Sequence, residues 1–479
     1  RPTTYMKKVM DEIRAQEGKA IVYKKNRDTV AKANLFQSEF SDEPIDSFSV
    51  KKAELLSAKA KNILSDSKLF DYRLKFSSDY ILSGFSNNLL LNRYQPYAGG
   101  AGPIQLNNGN NFNFNLRVGT SDLFEDQKFM GGIRFGTDLK DKDIIFSYQN
   151  FRKRLDWGVT YYRSNVTNYF NTPFSNMLIT NLYQGNVAYP FNEVKSLRAT
   201  FGLRIDRGIL KPYDNSVGYP DPGALAYPDT ISKYIVSRLE YVHDNTINTT
   251  QNIWNGLRYK VFLDINMPTL KTEMNNGKAT LNLGFDARYY YKIYRNFIWA
   301  GRAAADFSWG GQKIIYYLGG VDSWINPKFN SQNFPALDQT YAFQSLAVNM
   351  RGYQQNIANG NNAFVINSEF RLPLFATFIN KPINNAFIRN FQLTQFIDLG
   401  TAWNGKYNGI KRPGDVISDA NSPVVVKLDA GGLGPFAGGY GFGVRSTLLG
   451  YFMKLDAAWP MKGVFKGKPI YYFSLGFDF

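Results

Sequence analysis

The chain has 479 residues, with 56 Lys and Arg against 39 Asp and Glu for a formal charge of +17, a single histidine (His243) and no cysteine. That inventory excludes disulfides, thiolate chemistry and a site built from several imidazoles; the lone His243, in "YVHDN", reads as a surface or lumen residue, and no enzyme, cofactor or resident metal is expected. Nucleic acid is not an expected partner either, because the basic residues are scattered with no basic helix or aromatic-spaced RNA motif.

Aromatic residues make up 16% of the chain, a usage that suits strands better than helices. No stretch approaches the roughly 18 to 20 apolar residues of a transmembrane helix, so a membrane-spanning form would have to be a closed sheet.

The opening "RPTTYMKKVMDEIR" has neither an initiator Met nor a signal-peptide pattern, and an exported chain is expected to carry a signal peptide ahead of it. Residues 1–68 contain two segments of helical spacing and mixed charge, "YMKKVMDEIRAQE" and "VKKAELLSAKAKNILSD", joined by a polar linker. They read as a partly helical periplasmic lead-in, with a solvated tail or the end of an upstream domain equally open.

From residue 69 onward the pattern changes to period two. In "ATLNLGFDARYYYK", Leu281, Leu283, Phe285, Ala287, Tyr289 and Tyr291 share one side, while Thr280, Asn282, Asp286, Arg288 and Lys292 share the other. Segments of this kind fall near 70–84, 111–119, 127–138, 142–152, 155–166, 181–192, 195–207, 232–246, 253–266, 279–292, 295–307, 363–375, 390–402, 437–449, 453–459 and 470–479. Sixteen is an even number, as bacterial single-chain barrels require. The fold expectation is therefore an all-β, sixteen-stranded antiparallel transmembrane barrel over residues 69–479.

Short turns alternate with long Asn-, Gly- and Pro-rich connections at 208–231, 308–362 and 403–436. The longest of these is the expected functional loop, and it contains Arg351-Gly352-Tyr353. The Gly-rich run 429–441 reads as a flexible connection, and oxygen-rich loops leave calcium binding open. In the last segment Tyr471, Phe473, Leu475, Phe477 and Phe479 are expected on one face, with Gly476 opposite as a weak point in the strand or a place of close approach. Alternation also turns Asp398 to the side of Gln392 and Thr394, away from Ile397 and Leu399, and sets Glu369 beside Asn367 and Arg371. Both acids are expected to point into the lumen.

Four pieces of the last third occur in an order that resembles the BamA-type outer-membrane superfamily, the bacterial surface antigen barrels: Met350-Arg351-Gly352-Tyr353, "NSEFRLPLF", "FIDLGTAW" with Asp398 and Gly400, and "GYGFGVRSTLLGYFMKLDAAWP" leading to the terminal "FSLGFDF". "RVGTSDLFEDQ" and "FSSDY" are similar to barrels of this superfamily that follow TolB-like propeller domains. No POTRA-type βααββ unit is visible before the first strand.

The resemblance implies a Gram-negative outer-membrane barrel whose long loop folds into the lumen, with Arg351 meeting Asp398 and Glu369 nearby. It implies a seam between the first and last strands that opens sideways as a lateral gate, and a role in assembly, insertion or translocation of polypeptides. The alternative role is an anchor or scaffold for a larger complex. Expected partners are outer-membrane lipid, lipopolysaccharide and other outer-membrane or periplasmic proteins.

Overall fold

The computed structural model describes residues 74–85, 94–97, 113–136, 141–169, 174–212, 228–271, 275–330, 332–336, 338–407, 409–411, 416–418, 425–427, 432–461 and 467–479. The expected lead-in over 1–68 lies outside the described residues. Residues Phe76–Phe479 form one compact unit.

Its wall is built from β1 (Phe76–Phe85), β2 (Asn113–Asp122), β3 (Gln127–Gly136), β4 (Lys142–Asn150), β5 (Asp156–Tyr169), β6 (Phe174–Asn192), β7 (Lys195–Pro212) and β8 (Thr230–Asp244). It continues with β9 (Ile253–Pro268), β10 (Thr280–Tyr294), β11 (Phe297–Gly310), β12 (Asn362–Pro373), β13 (Gln392–Trp403), β14 (Ala437–Leu448), β15 (Tyr451–Pro460) and β16 (Ile470–Leu475). Each strand pairs antiparallel with the next in chain order. Among the described residues no ladder joins β1 to β16.

One rim carries the tight turns. Between β14 and β15, Leu449 and Gly450 both adopt positive φ, +52° and +84°, the pair of left-handed residues that a two-residue hairpin of the right twist requires. The connection from β12 to β13 replaces a turn with two short helices, α1 (Leu374–Phe378) and α2 (Ala386–Arg389). The opposite rim carries the long connections. By the rule that short turns face the periplasm and long loops the exterior, this orients the barrel.

Alternation sorts the side chains. Along β13, Gln392, Thr394, Phe396 and Asp398 are buried while Leu393, Ile397 and Leu399 are exposed. The outward positions elsewhere are equally apolar: Phe146, Val159, Phe201, Val261, Leu283, Ile366, Phe442 and Leu455 are all exposed. Such a belt of bare hydrocarbon is far larger than a water-soluble surface tolerates, and it is what a lipid-facing wall needs.

The interior is not an open channel. The connection between β11 and β12 turns inward, and its residues 313–318, 341–346 and 358–360 form a four-stranded sheet with residues 95–96 from between β1 and β2. Ile314, Tyr316, Leu318, Phe343, Met350 and Tyr353 of this inner layer pack on small wall residues Ala363, Ala402 and Ala437. Small side chains on that part of the wall make the room the loop fills.

Two expectations fail at the chain's ends. β1 begins at Phe76, after Leu74 and Lys75, and β16 stops at Leu475 instead of running to the last residue. Gly476 adopts φ +105°, a conformation open chiefly to glycine, and its N–H donates to the Phe452 carbonyl at 2.9 Å before the chain leaves the wall. Phe479 therefore does not share the lipid face with Tyr471. It is buried against Ile253, Tyr290, Ile298 and Ala300.

Candidate functional site

The long loop brings Arg351 onto the inner faces of β12, β13 and β15. Its guanidinium grips Asp398 with two parallel bonds, Nε to Oδ2 at 2.7 Å and Nη2 to Oδ1 at 2.9 Å, and its main-chain N–H adds a third to Oδ2 at 2.9 Å. Nη2 also stands 2.6 Å from Glu369 Oε1, and Nη1 lies 3.9 Å from Asp456 Oδ2. The planar fork explains the choice of arginine, since lysine offers only a point charge. The guanidinium plane lies over the Phe396 ring, 3.6 Å from its centroid, so the cation is enclosed on its flat face as well.

The site is dry. Arg351 is 4% exposed, Glu369 1% and Asp398 fully buried. Burial works against the Arg351 charge, but Asp398 and then Glu369 outweigh it and hold the guanidinium well above its ordinary range. Asn367 Nδ2 closes the remaining capacity of Asp398, donating to Oδ1 at 2.8 Å and to the Asn349 carbonyl at 2.8 Å.

Gly352 and Tyr353 fix the backbone of the motif. Gly352 sits at φ +96°, and a Cβ there would stand 2.9 Å from the Trp459 carbonyl oxygen, so no other residue fits without displacement. The Tyr353 hydroxyl donates to the Gly438 carbonyl at 2.9 Å. From β16, the Tyr472 hydroxyl accepts from Gly352 N at 2.9 Å and donates to the Tyr353 carbonyl at 2.7 Å.

Two expectations overlap on the Gly-rich run 429–441, a flexible connection and a strand from 437, and the strand holds over 437–441. Residues 437–441 are part of β14, and 429–431 lie outside the described residues. At Gly439 a Cβ would meet the Arg351 carbonyl oxygen at 1.9 Å, so the absence of side chains there lets the loop backbone press on the wall.

Beyond the anticipated Arg351, Gly352, Tyr353, Glu369 and Asp398, the structure adds a chain of buried ion pairs. Arg371 meets Glu369 at 2.7 Å, Arg445 meets Asp456 at 2.6 Å and Asp478 at 2.9 Å, and Lys454 stands 3.6 Å from Asp478. Arg371 Nη2 also donates to the Phe479 carbonyl at 3.2 Å. The Asn252 side chain donates from Nδ2 to Asp478 Oδ2 and accepts at Oδ1 from the Asp478 main-chain N–H, each at 2.9 Å. Four cations thus face four carboxylates in one network running from the loop tip to the end of the chain. Lys454 and Asp456 share the polar face of an alternating strand, a signal present in the sequence. Alternation likewise sets Asp478 on the side of Tyr472 and Ser474, both buried, but its pairing with Arg445 and Lys454 is non-local and has no sequence signal. Among the described residues no group of three or more acidic or imidazole side chains is placed to hold a metal ion.

No protein-family model matches the sequence, and no curated protein matches it. In three dimensions the chain is similar to BamA from Haemophilus ducreyi in a form lacking POTRA domains 1–3, with a TM-score of 0.50 and 13% identity over 89% of this chain and 79% of that one. CdiB from Escherichia coli aligns with a TM-score of 0.41 and 11% identity over 85% of this chain and 63% of that one. Single-chain antiparallel barrels with an apolar outer belt and an even number of strands are outer-membrane proteins. By its fold, then, the chain is an outer-membrane β-barrel whose architecture is similar to that of BamA.

Proposed function

We propose that this barrel acts in the assembly, insertion or translocation of polypeptides at the outer membrane, through a seam between β1 and β16. The observation that carries the reading is the state of the last strand. β16 has only six residues, Gly476 turns the chain out of the wall directly after it, and no ladder among the described residues ties it to β1. A short, weakly held edge strand is a template for another strand. The plugged lumen supports the same reading, because a barrel filled by an inner sheet is poorly suited to act as a passive pore. The Arg351 network then serves to hold the plug in register with the seam, since Tyr472 of β16 bonds directly to the motif.

The test is reconstitution of the full chain into liposomes with an unfolded outer-membrane barrel as client, following client folding by protease protection and gel mobility. The reading predicts faster folding than in empty liposomes, lost when a cysteine pair locks β1 to β16 and regained on reduction. Undiminished acceleration by the locked protein overturns it. Absence of any acceleration, with a stoichiometric set of folded proteins retained on purification, assigns the barrel the anchoring role instead.

A further inference from the structure

The edge of β16 that faces away from β15 is already in use. Ser474 forms an antiparallel bridge with Trp324, and Ile325 N donates to the Phe473 carbonyl at 2.8 Å. Along an antiparallel strand, successive residues direct their main-chain groups to opposite edges. Gly476 N bonds the Phe452 carbonyl of β15, so Phe473, three residues earlier, points the other way, to the edge that Ile325 meets. The loop segment runs antiparallel to β16, which is the direction β1 must take in an even-numbered barrel. It occupies the main-chain positions that a neighbouring strand would use.

The side chains make a matching pocket. Trp324 is 2% exposed, and its ring lies 4.6 Å from that of Tyr472 in a cluster with Val321, Phe396 and Ala458. The segment is bracketed by positions where the backbone turns sharply: Gly319 and Gly320 at φ +100° and +84° before it, and Asn326 at φ +61° after it. Ser323, beside Trp324, is held at φ +55°, a left-handed conformation that is unfavourable for a side chain of its kind. A two-residue contact between such turns can detach without unfolding the inner sheet around it.

We propose that the outer edge of β16 is a docking edge for an extended polypeptide strand bearing an aromatic residue, and that Trp324–Ile325 is its resident occupant, released when such a strand binds. The incoming strand donates an N–H to the Phe473 carbonyl and lays its ring on Tyr472. Because Tyr472 also bonds Gly352 and Tyr353, occupancy of the edge is linked to the seat of the Arg-Gly-Tyr motif. The proposal rests on the assembly reading only for the source of the natural strand, an unfolded outer-membrane polypeptide.

The probe is a fluorescent peptide with the sequence of residues 320–329, Gly-Val-Asp-Ser-Trp-Ile-Asn-Pro-Lys-Phe, titrated against the full chain in lipid nanodiscs. Ile325→Pro removes the N–H donor and frees the edge; it is expected to bind the peptide at least ten-fold more tightly than the wild type, and a peptide with Trp replaced by Ala is expected to bind neither. In a Trp324→Cys/Ser474→Cys protein, which has no competing thiol, the oxidised form is expected to bind no peptide and the reduced form to bind it. Equal affinity of wild type and Ile325→Pro, or peptide binding unaffected by the disulfide, overturns the proposal. Should Ile325→Pro fail to give the folded gel mobility, the cysteine pair decides alone. Client folding is measured on the same proteins. Peptide binding as expected without client folding by any variant would sink the assembly reading and leave the docking edge standing.

Discussion

Removing the Arg351 guanidinium is the perturbation whose cost the structure defines best. The network contains four cations, Arg351, Arg371, Arg445 and Lys454, and four carboxylates, Glu369, Asp398, Asp456 and Asp478, all under a tenth exposed. Arg351→Ala leaves the enclosed cluster one negative charge in excess and takes two side-chain bonds from Asp398 and one from Glu369. Stripping one partner from a buried pair costs about 3–5 kcal/mol, against less than about 1 kcal/mol for an exposed pair. At about 1.4 kcal/mol per factor of ten, that is a fall of roughly two to three and a half orders of magnitude in the folding equilibrium. Arg351→Lys keeps the charge and loses the fork, and is expected to cost about 1–3 kcal/mol. The assay is urea unfolding of the barrel in lipid vesicles, followed by tryptophan fluorescence and by heat-dependent gel mobility. Adding Asp398→Asn to Arg351→Ala should return part of the loss, a coupling of about 1–3 kcal/mol, because the stranded charge goes with its partner. A loss under about 1 kcal/mol for Arg351→Ala, with no coupling to Asp398, would show a wet, weak contact and refute the argument.

Two glycines on the wall should behave oppositely in the same unfolding assay. A Cβ at Gly439 would lie 1.9 Å from the Arg351 carbonyl, so Gly439→Ala is expected to destabilise by about 1–3 kcal/mol or more, whereas Gly131→Ala, with nothing within 4 Å, should stay within about 0.5 kcal/mol of wild type. Tyr472→Phe leaves the Gly352 N–H and Tyr353 carbonyl without their hydroxyl partner and should cost about 1–3 kcal/mol while raising protease cleavage within the loop. Arg445→Met strips a cation from both Asp456 and Asp478, and is expected to free the terminal segment from the lumen, seen as faster labelling of a cysteine placed at Phe479.

Much of the wall was legible because a membrane barrel writes its register directly into the chain. With lipid on one side and a polar lumen on the other, each strand must alternate, and β10 or β13 can hardly be read another way. The inward aim of Glu369 and Asp398 follows from the same parity. Parity also misled at the C-terminus. A left-handed glycine at 476 turns the chain out of the strand, so Phe479 is buried in the lumen beside the network while the alternation continues to place it outside. The strand at 437–449 was legible, but the reason its start is so rich in glycine was not: those glycines answer a tertiary demand, room for the Arg351 backbone, which no local pattern expresses. The partnership of Trp324 with β16 is equally non-local, about 150 residues apart in the chain, and is marked by a single β-bridge among the described residues.

The most direct test of the account is a spin-label scan, one cysteine at a time, along Gln392–Trp403 in proteoliposomes, reading collision with oxygen dissolved in lipid and with a water-soluble nickel complex. The account predicts oxygen access at Leu393, Gln395, Ile397 and Leu399, and immobile labels reached by neither probe at Thr394, Phe396 and Asp398 beneath the inserted loop. Nickel access at the odd positions, or no period of two along the strand, would contradict it.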